Sequence, residues 1–201
     1  MEISSANSRK KIDEIVETGK KLFYRYGIKK VSVEEICKEA GVSKATFYKY
    51  FKNKVDLALF ILREIFDNAW KEYCDIVNSN DPFNMKMEKI IKWKGEMMNI
   101  FSQDFIKEFA KSDIDEINRY INQEIHKSYQ ESKNFYLMGK KEGYIRKDVD
   151  LDFLFTLYSK TYDLFTDKEL AKKYPTPGSI FEQLIKIIMY GIISNGFKKS
   201  D

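Results

Sequence analysis

Apolar residues recur at intervals of three and four positions along most of this chain, which is the spacing of one face of an α-helix. The first stripe predicts a helix from about Ser8 to Tyr26, and Gly27 is well placed to end it. Comparable stripes continue towards the end of the chain, with only 3 Pro and 9 Gly among 201 residues to interrupt them. The pattern therefore predicts an all-α protein.

Two short helices are predicted directly after the first. Ser32 and Glu35 have the spacing of a capping box, in which each side chain bonds the other residue's backbone N–H, so a second helix should begin at Ser32. Gly41 ends it, and Ser43 is a typical N-cap for a third helix. Two short helices joined by a glycine-containing turn are typical of a helix-turn-helix unit.

The rest of the chain is predicted to be a helical bundle. A fourth helix begins after Asn53, and the polar run at 78–82 with its proline is the clearest break that follows. Later stripes predict helices at about 83–101, 104–110, 112–141, 150–165 and 179–197, giving about nine helices in all. We expect residues 1–54 to form the amino-terminal three-helix head and residues 55–201 the body.

The two last predicted helices are apolar around most of their circumference. Such a helix must be covered on more than one side, and in so small a body a second subunit is the natural cover. The alternative is that both are central helices of a monomer. The residues predicted to form a homodimer interface are Leu154, Tyr158, Phe181, Leu184, Ile185, Ile188 and Ile192.

Charge is distributed unevenly along the chain. Residues 1–60 carry 13 Lys and Arg against 8 Asp and Glu, whereas the remainder carries 22 against 23. A basic head on a neutral body suits a polyanionic partner for the head alone, although chance would also allow this imbalance. With no apolar run of about 18 residues and no apolar signal-peptide core, a cytoplasmic protein without membrane contact is expected.

Residues capable of catalysis or metal binding are sparse. His126 is the single histidine and falls on a lysine-rich stretch that should be exposed, although contact with a ligand is an alternative. Cys37 and Cys74 are too distant in sequence to suggest a metal set, and reduced thiols are expected, with a redox switch as the alternative. No phosphate-binding loop, dinucleotide fingerprint or nucleophile elbow occurs, so we expect no cofactor and no enzyme.

The stretch VSVEEICKEAGVSKATFYKYFKNKVDL resembles the DNA-binding head of the TetR family of bacterial regulators. In that family the third helix and its exit read roughly Val-Ser-x-x-Thr-Leu-Tyr-x-His-Phe-x-x-Lys-x-x-Leu, which the run 42–57 follows. Phe47 stands where leucine is common and Tyr50 where histidine is common. The resemblance covers about residues 9–57 and implies a sequence-specific, homodimeric regulator of transcription that binds double-stranded operator DNA.

A helix-turn-helix protein inserts its last helix into the major groove, so the outward residues of that helix are candidates for base contacts. Phosphate contacts would hold the register without reading sequence. The alternative is that the tyrosine packs internally and the lysines form a solvated surface. The predicted DNA-binding residues are Ser32, Ser43, Lys44, Ala45, Thr46, Tyr48, Lys49, Tyr50 and Lys54, of which Ser32, Tyr48 and Lys54 are expected to contact phosphates.

The resemblance also implies that the body, residues 55–201, binds a small-molecule effector that releases a repressor from DNA. Aromatic and methionine side chains could line an apolar pocket, and the alternative is that they are ordinary core residues. A second functional interpretation is a DNA-binding, nucleoid or protein-docking factor with the same head and no effector. The predicted pocket residues are Trp70, Trp93, Met97, Phe101, Phe105, Tyr120, Tyr136, Tyr158 and Tyr162.

Overall fold

The computed structural model describes residues 2–110 and 112–193, and within these ranges the all-α prediction is confirmed. Apart from one isolated antiparallel bridge between Ile145 and Ile193, no strand pairing occurs in the described ranges. The helices are α1 (Glu2–Tyr26), α2 (Val33–Glu39), α3 (Lys44–Tyr50), α4 (Lys54–Val77), α5 (Phe83–Met98), α6 (Gln103–Ala110), α7 (Asp115–Lys141), α8 (Leu151–Lys160), α9 (Lys168–Lys173) and α10 (Pro177–Ile192).

Local capping explains where several of these helices begin. Ser32 and Glu35 form the predicted capping box at α2. The side chain of Asp150 accepts from the backbone N–H of Phe153 at the start of α8, and Thr176 caps α10, with Pro177 in its first turn. Such caps satisfy backbone donors that have no partner within the helix, so they mark helix starts that sequence alone can locate.

The structure has more helices than predicted because one predicted element is divided and another was not anticipated. The apolar stretch at 150–165 forms α8 only to Lys160, after which Thr161–Thr166 is a 3₁₀ helix. The short α9 is capped by Asp167, whose carboxylate accepts from two backbone N–H groups, and it follows directly. The last predicted residues of the final helix, 194–197, lie outside the described residues.

The chain divides into two compact units that do not coincide with the predicted domains. Unit 1 consists of Met1–Asn68 and Phe101–Tyr120, and unit 2 of Ala69–Ile100 and Ile121–Asp201. The first half of α4 and all of α6 therefore belong with the three amino-terminal helices. The functional boundary between residues 54 and 55 stays a prediction.

Each unit has its own hydrophobic core. In unit 1, Ile15, Phe23, Ile36, Phe47 and Leu57 are essentially inaccessible to solvent. In unit 2, α5 packs on α10, and the cluster at its centre contains residues of α4, α5, α7, α8 and α10. Burial of these large apolar side chains is the main force that holds each set of helices together.

The residues of α8 and α10 that were predicted to face a second subunit are instead buried in, or packed against, the core of unit 2. Leu154, Ile185, Ile188 and Ile192 are buried in the core of unit 2, and Tyr158, Phe181 and Leu184 are partly buried and pack against it. A helix that is apolar all round gives no indication of which side faces inward. The apolar side chains left accessible on α8 and α10 are instead Phe153 (71%), Leu157 (42%), Ile187 (73%) and Tyr190 (73%).

The remaining candidate residues for special chemistry have ordinary surroundings. Cys37 is buried, Cys74 is partly buried, and both are free thiols. His126 is exposed on α7, as predicted. Among the described residues, no three His, Cys, Asp or Glu side chains are grouped as a metal site would require, and no helix is both long and apolar enough to cross a membrane.

Candidate nucleic-acid interface

The short helix α3 is fixed at both ends by local contacts. The Ser43 side chain accepts from the backbone N–H of Thr46 (3.1 Å), and the hydroxyls of these two residues lie 3.0 Å apart. Before it, Gly41 has a φ of +64°, a left-handed conformation that lets the chain turn sharply between α2 and α3. Phe47 is fully buried and anchors the middle of α3 in the core of unit 1.

Because Phe47 points inward, α3 directs a continuous surface outward. Lys44, Ala45, Tyr48 and Lys49 are exposed, and Thr46 and Tyr50 are half-buried. Tyr48 is held by an edge-to-face contact with the Phe47 ring at a centroid distance of 5.5 Å, yet 53% of its surface stays accessible. The exposed part of α3 therefore contains two ammonium groups, one phenol and a methyl group.

Glu34, an acidic residue of α2, forms an ion pair with the exposed surface of α3. Lys44 pairs with Glu34, and the contact raises the pKa of Lys44 and lowers the pKa of Glu34. In contrast, the ammonium of Lys49 lies 5.6 Å from the centre of the Tyr50 ring. Any anion that approaches Lys44 must compete with a carboxylate, whereas Lys49 makes a weak cation–π contact. Sequence spacing did not indicate the Lys44–Glu34 pair.

Ser32 and Ser43 serve the structure of the head through their side chains. The Ser32 hydroxyl donates to the Glu35 carboxylate (2.8 Å) and accepts from the Glu35 backbone N–H (3.2 Å). The capping box lowers the pKa of Glu35 through these hydrogen bonds. Both hydroxyls lie at helix starts, Ser32 at α2 and Ser43 at α3.

Lys54, which was predicted to contact a DNA phosphate, is bound within the head in this structure. Its ammonium donates to the backbone carbonyls of Ile28 (2.9 Å), Lys29 (2.8 Å) and Val31 (2.7 Å). A lysine ammonium has three donors, and all three are used. Burial lowers the pKa of Lys54. Lys54 therefore holds the turn between α1 and α2, and no donor is left for a phosphate in this conformation.

The same turn is held from its other side by α6. The Glu108 carboxylate accepts from the backbone N–H groups of Ile28 (2.6 Å) and Lys29 (3.0 Å). Gly27, with a φ of +80°, brings the chain so close that a Cβ there would lie 2.9 Å from a Glu108 oxygen. Sequence reasoning missed Glu108 because about 80 residues separate it from the turn.

Two ion pairs reinforce this attachment within unit 1. Lys29 pairs with Asp113 (2.8 Å) and Lys30 with Asp104 (2.5 Å). Both pairs are exposed, so each contributes little to stability by itself. Together with Glu108 and Lys54 they define what we call the α1–α2 clamp: the turn 27–31, Lys54, Asp104, Glu108 and Asp113.

The predicted pocket residues fall in both compact units, and their common pocket stays a prediction. Phe101 and Phe105 stack on each other (4.8 Å) in unit 1, where Tyr24 also contacts them, and Tyr120 contacts Phe66 there. The other described members of the predicted pocket lie in unit 2. They are Trp70, which is exposed and stacks on Tyr73, together with Trp93, Met97, Tyr136 and Tyr158.

A pair of hydroxyls marks the aromatic centre of unit 2. Tyr136 and Tyr158 lie 3.1 Å apart through their phenolic oxygens, and the Phe155 ring contacts both. Burial raises the pKa of Tyr158 to about 12 and raises that of Tyr136 well above its ordinary value. Both phenols are therefore neutral hydrogen-bonding groups at physiological pH. The side chain of Tyr162 lies outside the described part of the chain.

Comparison with known protein families identifies the head. The family model described as "Bacterial regulatory proteins, tetR family" matches residues 15–60, which include α2 and α3. An HTH-type transcriptional regulator of Staphylococcus aureus (strain USA300) is 29% identical over 98 residues, which cover 47% of this chain and 51% of that protein. The match thus spans about half the length of this curated relative.

Solved structures extend the likeness to the whole fold. A TetR transcriptional regulator of Chloroflexus aurantiacus has a TM-score of 0.72 at 17% identity, covering 94% of this chain and 99% of the other. The fatty acid degradation regulator of Bacillus halodurans has a TM-score of 0.71 at 17% identity, covering 89% and 94%. At such low identity these likenesses concern the fold alone.

Proposed function

Because this chain is a member of the TetR family of bacterial regulatory proteins through its amino-terminal domain, we propose that it is a cytoplasmic transcriptional repressor. In this proposal it binds operator DNA as a homodimer through α3. A small molecule that binds within the helical body then releases it from DNA. Operator DNA, a second copy of the chain and the effector are its proposed partners.

The observation that carries the DNA-binding proposal is the exposed surface of α3. A helix that enters the major groove needs outward side chains that can donate to base edges or contact methyl groups. Lys44, Ala45 and Lys49 are exposed and meet this need, and Thr46 adds a half-buried hydroxyl. Phe47 is fully buried behind them, so α3 is held rigidly against unit 1.

We assign the remaining contacts to the phosphate backbone. The Tyr48 hydroxyl, the α2 start at Ser32 and the α3 start at Ser43 are suited to phosphates, since hydroxyls and backbone N–H groups at helix starts bind them without reading sequence. Tyr50 flanks the same surface. Lys54 is left out of the proposed contact set because its three donors are used within the α1–α2 clamp.

The homodimer proposal is supported by the outer surface of α8 and α10. Four large apolar side chains are accessible on these two helices, and a partner that covered them would remove them from water. A second copy is the proposed cover because a symmetric pair of reading helices, about 34–36 Å apart, meets two successive faces of the major groove. An effector would release DNA by favouring another spacing.

Selection of duplexes followed by a binding measurement tests the DNA-binding proposal. Duplexes are selected from a random library on the purified full chain, and affinity is then measured by fluorescence anisotropy. Lys49→Ala should weaken binding to the selected duplex about tenfold and relax its sequence preference, because one base contact is lost. Tyr48→Phe should weaken binding to all duplexes alike.

Lys172→Ala is the control, since Lys172 is also exposed but lies on α9 in unit 2, where it pairs with Glu169. It should leave affinity and sequence preference unchanged. Failure of the native protein to retain any duplex at low ionic strength would refute the proposal. So would equal losses from Lys49→Ala and Lys172→Ala.

A further inference from the structure

An ion pair joins the starts of α2 and α3 on their exposed side. Glu34 lies in the first turn of α2, and Lys44 is the first residue of α3. The Lys44 ammonium donates to Oε1 of Glu34, ten residues away in the chain. The side chains of Lys44 and Glu34 are still 55% and 60% accessible, so both charged groups are open to a partner from solution.

Neither helix depends on this ion pair for its cap. The capping box of α2 uses the side chain of Glu35, and the side chain of Ser43 caps α3. An ion pair as exposed as this one also contributes little to stability. The folding of the head therefore does not account for an acidic residue beside the start of α3, and a role in binding has to be considered.

Both members of the pair have hydrogen-bonding capacity left. An ammonium has three donors, and a carboxylate accepts at both of its oxygens. The contact between Lys44 and Glu34 uses one donor and one oxygen. In the part of the chain that the structure describes, no other group accepts from the Lys44 ammonium. Two donors on Lys44 and further acceptor sites on Glu34 thus lie side by side.

A donor held beside an acceptor complements the edge of one particular base pair. In the major groove guanine presents two acceptors, N7 and O6, and the N4 amino group of its paired cytosine is a donor next to O6. The two donors of Lys44 match the guanine, and the Glu34 carboxylate matches the cytosine. If cytosine or adenine met Lys44 instead, the paired guanine or thymine would place a carbonyl oxygen against the carboxylate.

A DNA phosphate is a poor alternative partner for this ion pair. Phosphate oxygens only accept hydrogen bonds and carry negative charge, so the carboxylate beside the Lys44 ammonium would repel them. The start of a recognition helix is also the part that lies near base edges in the major groove. Charge and position thus both favour a base pair over the backbone.

We propose that Glu34 is a base-reading residue and that, together with Lys44, it recognises one G·C base pair of the operator. This inference rests on the proposed function, because it adds a residue of α2 to the proposed DNA-binding site and names the base pair that it reads. Lys44 supplies the preference for guanine through its two free donors. Glu34 rejects the base pairs that present a carbonyl oxygen in place of the cytosine amino group.

Replacement of each base pair in turn tests the proposal. Duplexes selected on the native full chain are resynthesised with every base pair changed to the other three. Their affinities are measured by fluorescence anisotropy for the native chain, Lys44→Ala, Glu34→Ala and Glu39→Ala. The position at which Lys44→Ala alters the preference identifies the base pair without reference to Glu34. Glu39→Ala is the matched control, because it removes the same charge from an exposed residue at the end of α2.

At that position the native chain should bind guanine opposite Lys44 about tenfold or more tightly than cytosine or adenine, with thymine in between. Glu34→Ala should reduce the discrimination against cytosine and adenine at least about threefold and leave other positions unchanged. Lys44→Ala should bring guanine and thymine to within about twofold of each other. Glu39→Ala should keep the native profile, and circular dichroism confirms that each variant is folded.

The inference is overturned if Lys44→Ala alters no position, or one whose preferred base pair is not G·C. A Glu34→Ala profile that matches the Glu39→Ala profile also overturns it. Uniformly tighter binding of all duplexes by Glu34→Ala does the same, since Glu34 would then act only as a charge that repels phosphates. The proposed function fails separately, through a native chain that retains no duplex at all.

Discussion

At the turn between α1 and α2, a single ammonium group serves three backbone carbonyls. Lys54 begins α4, yet its side chain reaches the carbonyls of Ile28, Lys29 and Val31. Carbonyl groups in a turn have no regular partner in a helix or sheet, so each gains from a charged donor. Lys54 therefore helps to hold the turn that joins α1 and α2.

Replacing Lys54 with methionine separates this structural role from a phosphate contact. Lys54→Met keeps most of the side-chain volume and removes the three donors, so the free energy of unfolding should fall by about 1–3 kcal/mol. Urea unfolding followed by circular dichroism measures this change. The dependence of DNA affinity on salt concentration should keep its slope. Lys52→Met, at an exposed neighbour, should leave stability unchanged.

The opposite result has an equally clear meaning. Suppose that Lys54→Met leaves the free energy of unfolding unchanged and lowers by about one unit the slope of log affinity for DNA against log salt concentration. Lys54 then contacts a phosphate in the complex. The donors would then have moved from the turn to the DNA.

At the scale of helices, α6 is the element that connects the turn of the head to a later part of the chain. Glu108 accepts hydrogen bonds from two backbone N–H groups of the turn, Asp104 of α6 pairs with Lys30, and Asp113, which follows α6, pairs with Lys29. Any displacement of α6 within unit 1 must break these contacts or carry the turn with it. The α1–α2 clamp is thus well suited to transmit movement to α2 and α3.

Glu108→Gln tests the clamp with little change in shape. A neutral amide has one carbonyl oxygen and a weaker attraction for backbone N–H groups, so the turn should open more often. Hydrogen exchange of the Ile28 and Lys29 amides should become about tenfold faster or more, and DNA affinity should fall. Glu116→Gln, at an exposed position of α7, is the control. Unchanged exchange at both amides would exclude Glu108 as the principal link.

At the scale of the whole molecule, the accessible apolar surface of α8 and α10 determines the proposed state of assembly. Ile187 and Tyr190 are each 73% exposed. Exposure of such large apolar side chains to water is unfavourable for an isolated subunit. In a two-fold symmetric interface the same residue is buried on each subunit, so one substitution counts twice. A substitution there should therefore affect association much more than folding.

Ile187→Glu should shift the chain from dimer to monomer. Burial of an isoleucine contributes about 1.5–3 kcal/mol, and an unpaired carboxylate in its place adds a penalty. Light scattering during size-exclusion chromatography should show monomer at concentrations where the native chain is a dimer. DNA affinity should fall in parallel. Met85→Glu, at an exposed apolar residue of α5, should remain dimeric, and a monomeric native chain at micromolar concentration would contradict the proposal.

The sequence by itself determined the features that depend on neighbours a few residues apart. The all-α fold, the capping box at Ser32, the N-cap at Ser43 and the inward position of Phe47 follow from contacts within about four residues. Helical periodicity and capping are local, so a single sequence contains them fully. The outward surface of α3 could be predicted for the same reason.

Only the tertiary structure decided how distant segments share partners. Glu108 and Lys54 meet the same turn from positions about 80 and 25 residues away, and no local pattern marks either contact. The inward side of α10 was undetermined because its sequence is apolar all round, so packing selected Ile185 and Ile188 and left Ile187 accessible. Composition likewise did not show that the aromatic residues of the candidate pocket are divided between two compact units.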